Sequence, residues 1–254
     1  MSIDLSVILP AYNAASEIGA TVDGLVTFYR QHGVNGEVIV ADDGSNDGTA
    51  NAVPSLPNVA VVRLPRNRGK GAAIRAGMRA ASGRVRAFTD ADLPYGPEPL
   101  AVAMRFIDDR GFHAVVGDRT LPGSTYQHEG MLRRGVSEIA SFAFRTMITG
   151  GIYDTQCGFK AFRGDVADEL FRVSRVDSFA VDVELIYLLL KHRLDIKRIP
   201  VQLRYNAGSS VRILRDSARA GADVLRMRAN WARGAYRSPA LAAILAEEIS
   251  AHTS

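Results

Sequence analysis

A single cysteine, Cys157, stands among 254 residues. No internal disulfide can form, so cysteine usage gives no reason to invoke an oxidising compartment, and the cytoplasm is the default expectation. Long apolar runs are also missing: no stretch approaches the ~18 to 20 residues that a spanning helix requires. The chain opens directly into strand-like Leu5-Ser-Val-Ile-Leu9, without a basic-then-apolar leader, which sets aside the transmembrane and secreted readings. Repeats and low-complexity segments are absent. The five histidines (32, 113, 128, 192 and 252) show no metal-ligand spacing. No G-x-x-x-x-G-K-[ST] run marks a P-loop, no G-x-G-x-x-G follows the first strand, and neither G-x-S-x-G nor H-E-x-x-H occurs.

What is there is an ordinary soluble composition, 47% hydrophobic and 23% charged, long enough for one large α/β domain. Net charge is only +4, but it is uneven: residues 201–254 carry 8 basic and 4 acidic side chains, while the first two hundred are nearly balanced. Short β-branched runs alternate with helix-period segments through the first 120 residues. The strand candidates are Val7–Leu9, Val38–Val40, Val59–Val62, Val85–Phe88 and Ala114–Val116, and the helix patterns run near 16–31, 47–53, 70–81 and 97–109. This alternation predicts a mainly parallel sheet covered by helices on both faces, with ligands at the carboxyl ends of its strands. Further helix patterns lie at 132–149, 165–172 and 182–193, a strand at Ile196–Leu203, and an Ala-rich tail after Pro239.

Polar clusters follow the apolar runs, as that architecture requires. Pro10-Ala-Tyr-Asn13 follows the first strand, Asp42-Asp-Gly-Ser45 the second and Asp90-Ala-Asp92 the fourth. Two carboxylates two residues apart after a strand suit a divalent cation that bridges to a diphosphate, although a solvated turn would present the same pair. Asp42, Asp43 and Asp47 exceed what helix capping explains, and a ribose or base donor is the natural partner for one of them. Arg66-Asn-Arg-Gly-Lys-Gly71, placed before a helix, is either an anion-holding turn or an ordinary basic one. Cys157, with no histidine near it in sequence, reads as a packed small side chain rather than a nucleophile.

Taken together, Ile8-Leu-Pro-Ala-Tyr-Asn13, Asp42-Asp-Gly-Ser-Asn-Asp-Gly-Thr49, Asn67-Arg-Gly-Lys-Gly71 and Thr89-Asp-Ala-Asp-Leu93 resemble family 2 glycosyltransferases of the GT-A fold. Asp154-Thr-Gln-Cys-Gly-Phe-Lys160 and Phe179-Ala-Val-Asp-Val-Glu-Leu-Ile-Tyr187 are similar to the dolichyl-phosphate glucosyltransferase branch, with dolichyl-phosphate mannose synthases as near relatives. The resemblance covers residues 4–212. It implies an α/β chain with a Rossmann-like, mainly parallel sheet and a C-terminal amphipathic helix. Residues 1–237 would form the transferase domain, with a nucleotide-sugar half to about 120, an acceptor half beyond it, and a tail over 238–254.

The same resemblance assigns roles. Pro10, Tyr12, Asp42, Asp43, Lys70, Asp90, Ala91, Asp92 and Arg204 would bind the donor, UDP-glucose or GDP-mannose. Asp90 and Asp92 would hold Mg²⁺ or Mn²⁺. Arg119, Arg133 and Arg134 would meet the phosphate of a polyprenyl phosphate acceptor, and Asp182 and Glu184 would lie by the sugar. Three positions depart from the family pattern: Ala14 replaces a Glu, with Glu17 one turn on; Pro94 replaces a Gln; and Val211 replaces a Lys, leaving Arg212 or Arg204 to supply that cation. Transfer of glucose rather than mannose to the lipid phosphate is the expected reaction, inverting at the anomeric carbon. A hydroxyl acceptor would instead need a base, for which Asp182 or Glu184 would serve; an inactive sugar-nucleotide-binding module is the third reading.

A helix over 211–237 would align Arg212, Arg215, Arg219, Arg226, Arg233 and Arg237 within about 60° of one another. Such a stripe suits an anionic membrane surface at the cytoplasmic face, or a solvated helix face. Without interleaved aromatics it does not suggest nucleic acid.

Overall fold

Val and Ile are stiff at χ1 and pack well on a pleated surface, and the runs rich in them assemble into one seven-stranded sheet in the computed structural model. The structure describes residues 2–124, 154–155, 157–204 and 213–253, with backbone alone over 213–221 and 248–253. In chain order the strands are β1 (Leu5–Ala11), β2 (Gly36–Asp42), β3 (Val59–Arg63), β4 (Val85–Phe88), β5 (Ala114–Asp118), β6 (Lys160–Arg163) and β7 (Ile196–Pro200). Their spatial order is β3-β2-β1-β4-β6-β5-β7. All neighbours run parallel except at β6, which is antiparallel to both β4 and β5.

The described helices are α1 (Ile18–His32), α2 (Lys70–Ala80), α3 (Glu98–Asp108), α4 (Gly164–Val173), α5 (Val181–Lys191), α6 (Ile213–Ala232) and α7 (Pro239–Thr253). They cover both faces of the sheet, so the central strands read as continuous apolar runs. Leu5, Val7, Leu9, Val38, Val40 and Val115 pack on one side with residues of α1 and α3. Ile8, Ile39, Phe88 and Phe162 pack on the other with residues of α2, α4 and α5, and with Val224, Met227 and Leu241 from the C-terminal helices. Strand order reverses between β1 and β4, which opens the crevice at their carboxyl ends where the polar clusters emerge.

Four expectations change. The segment 47–53 forms only a 3₁₀ turn, Thr49–Ala52, because Asp47 bonds the Thr49 amide and hydroxyl and the residue before the turn, Gly48, is left-handed at φ 86°. β7 stops at Pro200, which cannot donate to a ladder. β6 was not foreseen; it is four residues long and begins with a lysine. The helix expected over 211–237 ends at Ala232, where Gly234 adopts φ 75° and turns Tyr236 back into the core, so Arg233 and Arg237 lie beyond α6. The helix pattern at 132–149 lies outside the described residues. The tail after Pro239 is α7; it packs on α4 through the fully buried Leu241, and Ser238 donates to Glu169.

Candidate active site

The end of β2 organises the entrance to α2. Asp43 accepts the backbone N–H of Arg68 at 2.8 Å and of Gly69 at 2.7 Å, one with each carboxylate oxygen. Burial pushes its pKa up and those two bonds oppose the shift, with the net direction upward. Asp42 is fully buried, accepts the Ser45 amide with Oδ1 and lies 3.3 Å from Arg63 Nε with Oδ2, which forms no hydrogen bond. Pro10 and the half-exposed Tyr12 stand at the end of β1 beside them.

α2 begins at Lys70 because Gly69 turns the chain at φ 110°, a conformation disfavoured for other residues. The first turn rests on residues 176–178: Gly71 donates to the Asp177 carbonyl, and a Cβ on Gly71 would lie 2.2 Å from the Val176 carbonyl oxygen. The Asp177 carboxylate takes Arg68 and Arg75. Lys70 is thereby aimed across the crevice, its Nζ 2.7 Å from Asp90 and 3.6 Å from Asp182. Burial alone would lower the lysine pKa; Asp182 and then Asp90 outweigh it and hold the group above the usual lysine range.

Asp90, Ala91 and Asp92 follow β4. The Ala91 carbonyl accepts Thr21 Oγ1 at 2.6 Å, which ties the turn to α1. Asp92 is exposed, and its pKa is raised by desolvation and then by repulsion from Asp90, with Glu17 adding to it. Glu17 thus reaches the site electrostatically although Ala14 stands at the family's Glu position. The opposite wall is the loop into β6. Gly158 lies so close to Asp90 that an added Cβ would meet Oδ2 at 1.9 Å. Asp154 holds Arg119 bidentately at 2.8 Å for each bond and accepts the Arg119 amide as well. Hydrogen bonds donated to Asp154 hold the guanidinium pKa above its usual value despite partial burial, and Arg119 in turn keeps the Asp154 carboxyl below its usual range against desolvation.

Lys160, 1% exposed, donates to Asp182 at 2.5 Å and to the carbonyls of Cys157 and Thr155. Asp182 therefore lies buried between two ammonium groups. Asp154, Gly158 and Lys160 carried no assigned role in the sequence; the signal available was their place in one motif-like run, Asp154–Lys160. Burial raises the pKa of the Cys157 thiol, consistent with a packed side chain.

Glu184 is not brought to this cluster. It is fully buried one helical step past Asp182, and it accepts the amides of Arg175 and Val176 and the hydroxyl of Tyr236. Burial raises its pKa in spite of those bonds. Its chemistry is structural, since residues two apart on a helix face different ways. Arg204 donates its amide to the Pro94 carbonyl, and its guanidinium lies on Glu98 beside the Gly96 turn, at the edge of the Asp90–Asp92 loop. Arg133, Arg134, Val211 and Arg212 lie outside the described residues. Among the described residues, no three His, Cys, Asp or Glu side chains form a group able to hold a metal ion.

The profile described as Glycosyl transferase family 2 matches residues 6–171. The chain is 29% identical over 252 residues to a dolichyl-phosphate beta-glucosyltransferase of Dictyostelium discoideum, covering 93% of this chain and 77% of the relative. It is 31% identical over 253 residues to the enzyme of the same name from Drosophila melanogaster, covering 93% and 78%. Among solved structures, glucosyl-3-phosphoglycerate synthase from Mycobacterium tuberculosis in complex with Mn²⁺, UDP-glucose and phosphoglyceric acid superposes with a TM-score of 0.63 at 22% identity, covering 89% of this chain and 79% of that one.

Proposed function

Since this chain belongs to glycosyl transferase family 2 and has the GT-A fold, we propose that it transfers glucose from UDP-glucose to a polyprenyl phosphate, with inversion at the anomeric carbon. Relatives named dolichyl-phosphate beta-glucosyltransferase match along nearly the whole chain and favour that donor sugar and acceptor class. The observation that carries the acceptor choice is that both candidate bases are engaged. Asp182 is locked between Lys160 and Lys70, and Glu184 is buried under three donors. A hydroxyl acceptor would need one of them free to take its proton. A phosphate monoester, with a second pKa of about 6, arrives as a dianion at neutral pH and needs no base.

The chain's own residues then have to hold two phosphate-bearing reactants against their repulsion. Lys70 and the α2 N-terminus face the donor side, and Arg119, oriented by Asp154, is assigned to the acceptor phosphate, the role that the family resemblance also implies for Arg133 and Arg134. Asp43 shapes the backbone approach to Lys70, and Pro10, Tyr12 and Asp42 border the nucleoside. Asp90 and Asp92 fit a hard cation: they are oxygen donors on one turn, and Asp90 raises the cost of charging Asp92. Mg²⁺ or Mn²⁺ bound there, completed by diphosphate oxygens, would neutralise charge on the leaving nucleoside diphosphate.

No described helix is long and apolar enough to cross a membrane. The basic face of α6, with Arg226 and Leu225 both exposed, is proposed as the surface that meets anionic headgroups at the cytoplasmic face. The test is transfer of label from UDP-[¹⁴C]glucose, with Mg²⁺ or Mn²⁺, to a short polyprenyl phosphate. Label in the organic phase is expected; label only in water-soluble products would overturn the reading. Asp92→Asn should abolish turnover, and a near-normal rate would remove the metal role.

A further inference from the structure

Behind the Asp90–Asp92 turn, four side chains alternate in sign. Asp90 meets Lys70 at 2.7 Å, Lys70 meets Asp182 at 3.6 Å, and Asp182 meets Lys160 at 2.5 Å. Side-chain exposure falls from 39% at Asp90 to 10% at Lys70, 4% at Asp182 and 1% at Lys160. Water therefore screens the inner three members poorly, and a charge change at one end is felt at the other. The inner end is fixed. Besides Asp182, the Lys160 ammonium donates to the carbonyls of Thr155 and Cys157 at 3.2 and 2.9 Å, so it cannot swing aside. Asp182 turns one oxygen to Lys160 and the other to Lys70.

We infer that Asp182 and Lys160 set how strongly the Asp90–Asp92 turn holds a divalent cation, acting through Lys70. The inference rests on the reading of that turn as the cation site. Lys70 divides its charge between two carboxylates. Whatever Asp182 takes of it leaves Asp90 more negative and better able to hold a metal ion; whatever Lys160 takes of Asp182 has the reverse effect. Asp182 and Lys160 are positioning residues, two and three links away from the cation. A purely structural buried pair behaves differently, because removing either partner leaves an uncompensated charge and loosens the same packing. Structure alone predicts that both substitutions weaken the site; the alternating chain predicts opposite signs.

The experiment measures Mn²⁺ binding to the donor-free protein by electron paramagnetic resonance of the free ion, with thermal melts as a check on folding. Asp182→Asn is expected to weaken binding by about tenfold and Lys160→Gln to tighten it by roughly threefold. The double variant, in which Lys160 has lost the carboxylate it acts through, is expected within about twofold of Asp182→Asn. If Lys160→Gln alone does not fold, the double variant decides: binding clearly tighter than that of Asp182→Asn would show Lys160 acting without Asp182. Weakening by both single substitutions, or a double variant that binds much more tightly than Asp182→Asn, would overturn the inference. In a Lys70→Gln background the effect of Asp182→Asn should shrink several-fold; an undiminished effect would overturn the route through Lys70. Asp92→Asn separates the two levels: if it leaves Mn²⁺ binding intact, the reading of the turn as the cation site fails and the inference fails with it.

Discussion

Asp154 and Arg119 show how one pair of residues fixes both a cation and its pH response. The Asp154 carboxyl is nearly buried, which by itself would favour its protonated form, yet Arg119 holds its pKa below the usual carboxylate range. A folded-state pKa depressed in this way adds stability above the unfolded value of about 3.9. That stability is lost as pH falls through the folded value, because the unfolded chain then binds the proton more readily. Asp154→Asn should therefore cost about 1.5–3 kcal/mol at pH 7, and its stability should fall less steeply than that of the unaltered protein below about pH 4. Urea titrations at pH 7, 4 and 3 check both statements; parallel curves for the two proteins would remove Asp154 as the group responsible. Transfer to the lipid phosphate should fall as well, since Arg119 loses the partner that orients it. Arg119 was legible in the sequence because, at the start of the loop after the fifth strand, it matches an arginine of the family that the chain resembles. Its partner was not: an aspartate in an irregular segment 35 residues on has no periodicity to mark it.

At the scale of elements, the alternation of β-branched runs and helix-period segments predicted the parallel strands and their helices to within a few residues, because burial on both faces leaves a strong apolar signature. β6 left no such signature. Its Lys160 is buried by ion pairing rather than by hydrophobicity, so a strand-opening residue reads as a surface one. The end of α6 was hidden for a related reason: the basic spacing continues past Ala232, while the chain is turned by Gly234 and held by Tyr236 on Glu184. β6 also explains why the loop before it, and not the loop after it, reaches the crevice, since an antiparallel strand enters from the carboxyl rim of its neighbours. Gly158 in that loop tests the packing. An added Cβ would meet Asp90 Oδ2 at 1.9 Å and Cγ at 2.7 Å. Gly158→Ala should cost about 1–3 kcal/mol and lower kcat by about tenfold or more by displacing Asp90. Gly24→Ala is the control: it lies exposed on α1 with nothing within 4 Å of an added Cβ, and should gain up to about 1 kcal/mol with kcat unchanged. Equal activity in the two variants would show that the loop does not position Asp90.

For the molecule as a whole, the uneven charge of the chain is an expectation about orientation. Val224 and Met227 turn α6 toward the core, whereas Leu225 is 70% exposed and Arg226 reaches solvent with Asp223 beside it. Asp223 also accepts Ser178 Oγ at 2.7 Å, which ties this helix to the segment supporting the α2 N-terminus. A protein docked by α6 would therefore present its crevice at a set angle to the bilayer. Reversing Arg215, Arg219 and Arg226 to Glu should weaken co-sedimentation with vesicles containing phosphatidylserine, with about 1 kcal/mol lost per residue at low salt and less at high salt. Unchanged sedimentation would leave the face as a solvated one. Spacing along a helix made that face visible in the sequence; the contact through Ser178 could not be, since it joins residues 45 positions apart.

The Arg119–Asp154 clamp has a consequence for how this architecture can vary. The chain leaves the sheet after β5 and returns to it before β6, and the first residue out is bonded to the residue at the point of return by three hydrogen bonds. The two ends of the intervening segment are thereby held together at a closed neck. A change of length or composition in residues 125–153 therefore need not disturb the spacing of β4, β6 and β5, and the Asp90–Lys70–Asp182–Lys160 chain stays in place. On the proposed assignment of Arg133 and Arg134 to the acceptor phosphate, grafting the corresponding segment of a relative between the two clamped residues should change the acceptor while leaving the donor side as it is.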